Sequence, residues 1–194
     1  MSAWQPLLDW WFAAEVAAAR QGLWFGKRDS QDREAEARFG ALVERALAGE
    51  LRDWLDDPQA WLAQLILLDQ LPRMIFRDTP RAFAGDSRAR PLLQEGLERG
   101  WDRRLTPIQR VFAYLIFEHA EDLPLHDRAV ELFADLLNEA AVDERPLFAD
   151  FLDFAERHQR VIVRFGRFPH RNAILGRAST DEEQAFLREP GSRF

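Results

Sequence analysis

Apolar positions along this chain recur at helical spacing, and polar punctuation divides them into a succession of helices. In PLLDWWFAAEVAAAR, residues 6–20, the apolar residues Leu7, Leu8, Trp11 and Phe12 make one buried stripe that Trp10 widens. Pro6 suits a first helical turn and Gly22 a C-terminal stop. Leu23-Trp24-Phe25-Gly26 then reads as an aromatic turn, and KRDSQD as a polar loop. A second helix is predicted from Gln31 to Ala48, with Ala35, Phe39, Leu42, Val43, Ala46 and Leu47 on its core face and Gly49 closing it. Leu51 to Leu55 continues as a short helical turn around Trp54.

Asp57 and Pro58 supply an N-cap and a first-turn proline for a helix over 58–70, PQAWLAQLILLDQ. It is apolar on most sides between Trp61 and Leu68, the mark of a central helix. Its apolar run breaks off at Asp69-Gln70, followed by Leu71-Pro72-Arg73. Thr79-Pro80 opens a short turn. Asp86 is placed to cap a helix reaching Arg99, ended by Gly100. Pro91 inside it predicts a kink or a start delayed to Arg90, because an interior proline loses a hydrogen bond. Thr106-Pro107 begins PIQRVFAYLIFEHAED, nearly continuously apolar from Val111 to Phe117 and ending in Glu118-His119-Ala120-Glu121-Asp122. An amphipathic helix follows over 125–141, then one from Pro146 to Phe165 carrying Phe148, Phe151, Leu152, Phe154, Ala155 and His158. Thr180-Asp181-Glu182-Glu183 is a capping box for a last helix to about Arg188. No stretch alternates with period two and no repeat of fixed period emerges. The pattern predicts an all-α fold, a single domain over 1–194 of stacked antiparallel helix pairs.

Composition narrows the function classes. The chain has no cysteine, which removes disulfides and thiolate chemistry and fits a reducing cytoplasm. The N-terminus lacks a basic n-region and carries Asp9 and Glu15 within its apolar stretch, unlike a signal peptide. No apolar run approaches the roughly 20 residues a membrane span needs, so a cytoplasmic protein with no membrane partner is expected. A net charge of -7 argues against nucleic acid as a partner.

Against that charge, the segment HQRVIVRFGRFPHRNAILGR from His158 to Arg177 holds five arginines, two histidines and no acidic residue. Such a segment must face internal carboxylates, an anionic ligand, or both. Arg164, Arg167, Arg171, His170 and Asn172, with Arg73 from the earlier helix end, suit a phosphate or carboxylate, since a guanidinium matches those groups bidentately. Asp69, Glu118, His119 and Asp122 would orient them. The bland alternative is that the arginines pair with Asp69, Glu118, Glu121 or Asp122 and tie helix ends together. Read as helix continuing past Glu118, the i, i+3, i+4 spacing puts Glu118, Glu121 and Asp122 on one face. No di-iron or His-Glu-x-x-His signature accompanies it, so no metal and no cofactor is expected. His119 or His158 beside Glu118, Asp122 or Asp69 would suit proton transfer near neutral pH. No nucleophile elbow, P-loop or dinucleotide turn is present.

Four segments together carry a resemblance. Leu8-Asp9-Trp10-Trp11-Phe12, Leu67-Leu68-Asp69-Gln70-Leu71-Pro72-Arg73, Glu118-His119-Ala120-Glu121-Asp122, and Arg164 through Asn172 continuing to Leu175-Gly176-Arg177 with Ser179-Thr180 resemble the bacterial domain-of-unknown-function family numbered nine hundred and twenty-four. Leu71 stands where the family pattern usually has phenylalanine. The resemblance implies a tetratricopeptide-like α/α superhelix and supplies no activity. The expected function is a binding module that recognises an acidic protein segment or small anion. Its alternatives are a small enzyme using a His–carboxylate pair on a phosphorylated or carboxylated metabolite, and an interaction scaffold whose motifs are wholly structural.

Overall fold

A computed structural model describes the backbone of residues 2–13, 17–54 and 56–192, and the side chains of these outside 17–20. Among the described residues the regular structure is entirely helical. The chain divides into two compact units, Met1–Arg77 with Arg81–Ile116, and Asp78–Pro80 with Phe117–Phe194.

The first unit is built on a largely apolar helix. Its elements are α1 (Gln5–Phe12), α2 (Ala17–Trp24), α3 (Asp29–Ala48), α4 (Pro58–Leu68), α5 (Gln70–Ile75), α6 (Asp86–Glu98) and most of α7 (Pro107–Glu118). Asp57 caps α4 as its sequence predicts, its Oδ1 accepting from the Gln59 and Ala60 N–H groups. Every residue of α4 except Gln59 is buried, and α1, α3, α5 and α6 pack around it. Full burial of its leucines and Ile66 stabilises by about 1.5–3 kcal/mol for each side chain, an upper estimate. Gly96 of α6 is required for this packing, because a Cβ there would fall 2.2 Å from the Trp61 ring. The Trp61 indole N–H in turn donates to the Leu92 carbonyl at 2.8 Å.

Several boundaries differ from the sequence reading. The helix expected over 6–20 is α1 and the start of α2, and residues 14–16 of that span lie outside the described residues. α2 runs on through Gly22 to Trp24, whose buried indole donates to the Trp11 carbonyl at 2.9 Å. Burial of that ring outweighs the helix-stopping tendency of Gly22. The turn at Leu51 is a 3-10 turn over Arg52–Trp54, and Leu55 lies outside the described residues. α6 starts at Asp86 and carries Pro91 inside it, so the delayed start does not occur.

The second unit holds α8 (Leu123–Glu139), α9 (Arg145–Phe165), a 3-10 turn at Pro169–Arg171 and α10 (Asp181–Phe186). α8 and α9, joined by a short connection, pack along each other. Phe148, Phe151, Ala155, His158, Val161 and Ile162 of α9 are buried, following its i, i+3, i+4 pattern. Gly166, at φ 67, ends α9 in the left-handed conformation a C-terminal stop favours. That reversal sends the chain back so that Phe168, fully buried, packs with Val161 and Ile162.

Candidate functional site

α7 stops at Glu118, so Glu118, Glu121 and Asp122 do not share the helical face their spacing predicts. A four-residue turn takes over, and each of its members has a separate task. The His119 carbonyl accepts from Arg171 Nη1 at 3.0 Å, and the Ala120 carbonyl accepts from His126 Nε2 at 2.7 Å. Glu121 Oε1 accepts from the Phe168 backbone N–H at 2.8 Å. Asp122 starts the next helix, its side chain accepting from the Leu125 N–H at 3.3 Å. Asp122 therefore sits at the favourable end of a helix dipole, which a position late in α7 would have denied it.

Arg164, Arg167 and Arg177 of the basic segment face carboxylates of their own chain. Arg167 grips Glu183 through Nε–Oε1 at 2.6 Å and Nη2–Oε2 at 2.8 Å, and also donates to the Ala178 carbonyl. Arg177 grips both oxygens of Glu121, and adds bonds to Asn172 Oδ1 at 3.0 Å and the Phe168 carbonyl at 3.1 Å. Arg164, more exposed, reaches Glu182 at 2.9 Å. Asn172 is 1% exposed and donates to Ser179 Oγ and Glu183 Oε2. Glu183 closes the capping box with Thr180, so the helix cap and the ion pair share one carboxylate. The Arg167 hydrogen bond is the largest influence on Glu183 and brings its pKa down to about 2. For Glu121, burial works upward, yet the bonds from Arg177 and the Phe168 N–H carry it below the ordinary carboxylate range.

The histidines form a second arrangement. Phe168 is ringed by His126, His158 and His170, with centroids 5.8, 5.6 and 5.5 Å from its own. His119 lies 6.4 Å from His158, and the Arg171 guanidinium stands over the Phe168 ring at 4.5 Å. All four histidines of the chain thus gather at one place. His126, His158 and Arg171 are buried there, while His119 and His170 are half-buried.

His158 Nδ1 lies 2.8 Å from the Phe154 carbonyl and 3.0 Å from Glu118 Oε1. Both neighbours are acceptors, so Nδ1 carries the proton and Nε2 is the basic nitrogen. Burial pushes the His158 pKa well below its ordinary value; the Phe154 bond opposes this, and His119, His126 and Arg171 add to it. The Glu118 contact is accordingly a hydrogen bond from a neutral ring. His126 is lowered in the same way, by burial first. Among the described residues no three histidine, aspartate or glutamate side chains gather as a metal ion would require.

Asp69 and Arg73 belong to the first unit and make a separate cluster. Arg73 Nη1 reaches Asp69 Oδ1 at 2.8 Å, and its two terminal nitrogens engage Asp86 at 3.0 and 3.1 Å. Burial lowers the Arg73 pKa, but Asp69 and Asp86 outweigh it and the net shift is upward.

Three participants escaped the sequence reading. His126 received no role, although histidine is scarce here and its position four residues after Asp122 falls on the buried side of α8. Phe168 has no role of its own in the sequence pattern, and Glu183 only that of a helix cap. The pairing of the capping-box acid with Arg167 has no local signature, since the two residues are 16 positions apart.

Among the described residues, no helix is long and apolar enough to cross a membrane. No curated protein matches the chain significantly. The solved structure of a protein of unknown function from Agrobacterium tumefaciens is similar, with 37% identity and a TM-score of 0.81, covering 95% of this chain and 96% of that one. Residues 7–191 match the family described as bacterial protein of unknown function, DUF924. With the motifs around Asp69, Glu118–Asp122 and Arg164–Arg177 lying inside that match, the chain belongs to the DUF924 family.

Proposed function

We propose that this protein is a binding module for a small oxyanion, a phosphate- or carboxylate-bearing molecule, held at the rim of the histidine group by His119, His170 and Arg171. The observation that carries this reading is the gathering of His126, His158 and His170, with Arg171, around Phe168, and of His119 beside His158. Half-buried imidazoles beside a guanidinium supply directed N–H donors in surroundings of reduced dielectric, where bonds to an anion are strengthened. Arg164, Arg167 and Arg177, each held by a carboxylate of the chain, act as the frame of the site. Asn172 locks that frame through Glu183 and Arg177. A small ligand fits better than an acidic protein segment, because Arg171 is only 6% exposed and an extended chain could not reach it. Stacked helix pairs of the tetratricopeptide-like kind implied by the family resemblance are a suitable support for such recognition.

The test is thermal unfolding with sulfate or inorganic phosphate against chloride at equal ionic strength. Ligand at a hundredfold excess over Kd stabilises a folded protein by about 2.7 kcal/mol. The wild type should gain accordingly, and His170→Gln should lose most of the gain. Equal shifts in both proteins, or none in either, would refute the site.

The Glu118–His158 pair favours a second reading, an acid–base enzyme acting on the same ligand with His158 Nε2 as base. Turnover of a phosphorylated or carboxylated metabolite that Glu118→Gln abolishes while binding persists would support it. Absence of turnover across such a panel would count against it.

A further inference from the structure

We propose that the outward face of the α8–α9 pair is a docking surface for a basic amphipathic helix of a partner protein. This face makes no use of the histidine group, and its occupant is independent of any anion bound there.

The apolar stripe of α8 is wider than its packing requires. His126, Ala129, Leu132, Phe133 and Leu136 are buried, while Val130, Ala134 and Leu137, at i, i+4 and i+7 beside them, are only half-buried. α9 repeats this, with Leu152 half-buried and Val163 64% exposed, both on the helical line of Gln159. Gln159 Nε2 donates to Asp127 Oδ1 at 2.7 Å, so these two flanks adjoin. The short connection makes the helices antiparallel. In the register of that bond Leu123, 38% exposed, falls opposite Val163, and Ala134 falls opposite Leu152. From Leu123 to Leu137 the face is about 21 Å long at the α-helical rise, room for a partner helix of about four turns.

Charge selects the occupant. Between Asp122 and Glu156 the chain has ten acidic residues and two arginines. Asp127, Glu131, Asp135 and Glu139 follow one another four apart on α8, all exposed, and Arg128 is the one arginine or lysine of that helix. Like charges at that spacing repel, and acids toward a helix C-terminus oppose its dipole, so both destabilise the uncovered helix. Asp135, Asp143, Glu144 and Asp150 are exposed and have no cationic partner among the described residues. A partner helix with lysines or arginines flanking an apolar stripe relieves the repulsion and covers the half-buried side chains in one step. An acidic helix would cover the side chains and add to the repulsion.

The probe is a fluorescent leucine–lysine peptide of about 18 residues, long enough for the face, with leucines at i, i+3, i+4 and i+7. Its binding to the whole chain is followed by anisotropy, beside a peptide of the same composition in scrambled order. The patterned peptide should bind at least about tenfold more tightly than the scrambled one, and more weakly as salt rises. The double variant Glu131→Lys with Asp135→Lys should lose about tenfold or more in affinity without a lower melting temperature, since it removes repulsion. Glu36→Lys with Glu98→Lys, the same charge change on exposed positions of the first unit, should bind like the wild type. Val163→Glu separates the two contributions: charge attraction alone predicts tighter binding, whereas an apolar docking face predicts weaker binding by about threefold or more. No binding, equal binding of both peptides, equal losses in the two double variants, or tighter binding by Val163→Glu would each overturn the proposal. Dimer formation without peptide that Val163→Glu abolishes would assign the face to a second copy of the chain and overturn it too.

Discussion

Two apolar helices, α4 and α7, finish on a buried acid, and the two acids meet different fates. Asp69 is met by Arg73, which a second carboxylate, Asp86, also holds. Glu118 is met by His158, which burial keeps neutral. A guanidinium stays charged at every pH a protein survives, so the Asp69 cluster is a permanent tie between α5, the end of α4 and the start of α6. An imidazole can change its charge, so the Glu118 cluster can respond to what surrounds it. The same kind of helix ending thus yields fixed glue in one unit and a titratable group in the other.

The sharpest way to break this comparison is Arg73→Ala. Asp69 is 1% exposed, and removing its guanidinium partner should cost about 3–5 kcal/mol in urea unfolding. A loss below about 1 kcal/mol, the range of exposed pairs, would mean that Asp69 is not held as described. Arg177→Ala comes next. Arg177 and Glu121 are each about a quarter exposed, so the loss should be about 2 kcal/mol. A double-mutant cycle with Glu121→Gln should show strong coupling, and additive losses would contradict the bidentate grip.

The histidine side of the comparison is tested by pH. His126 and His158 have folded pKa values below their ordinary value, so the unfolded chain binds protons first as pH falls. Stability should be full above about pH 6.5 and decline below it, toward the lowered folded values, by at most about 1.4 kcal/mol per pH unit per histidine. His158→Gln should flatten the decline, whereas a variant of the Arg73 cluster should keep its slope. A decline unaffected by His158→Gln would assign the window to other groups. Glu183 acts lower on the scale, its contribution present above about pH 4.5 and lost as pH falls toward about 2. The smallest effect expected is that of Thr180→Ala, about 1 kcal/mol for a lost helix cap. Because Glu183 also holds Arg167 and Asn172, that variant should leave the ion pair intact and sulfate binding within about twofold, well under the tenfold that 1.4 kcal/mol would represent.

Much of the architecture was legible from local signals. Asp57-Pro58, Gly49, Gly166 and the Thr180–Glu183 box stand where caps and stops are observed, because capping is decided by a few adjacent residues. The errors came where tertiary burial overrode a local tendency. Gly22 did not stop α2 once Trp24 could bury its ring, and the residues after Glu118 left the helix to become a turn and the cap of α8.

The candidate site divides along the same line. Sequence alone determined that a basic, acid-free segment must find negative charge, and that Asp69 and Glu118 at the ends of apolar helices must find donors. Composition and helical periodicity suffice for that, since buried charge is costly unless paired. Only the tertiary structure decided the pairings: Arg177 with Glu121, 56 positions away, Arg167 with the capping acid of α10, and three scattered histidines around Phe168. Such contacts depend on how α8, α9 and the reversal at Gly166 bring distant side chains together, and no local pattern encodes that geometry.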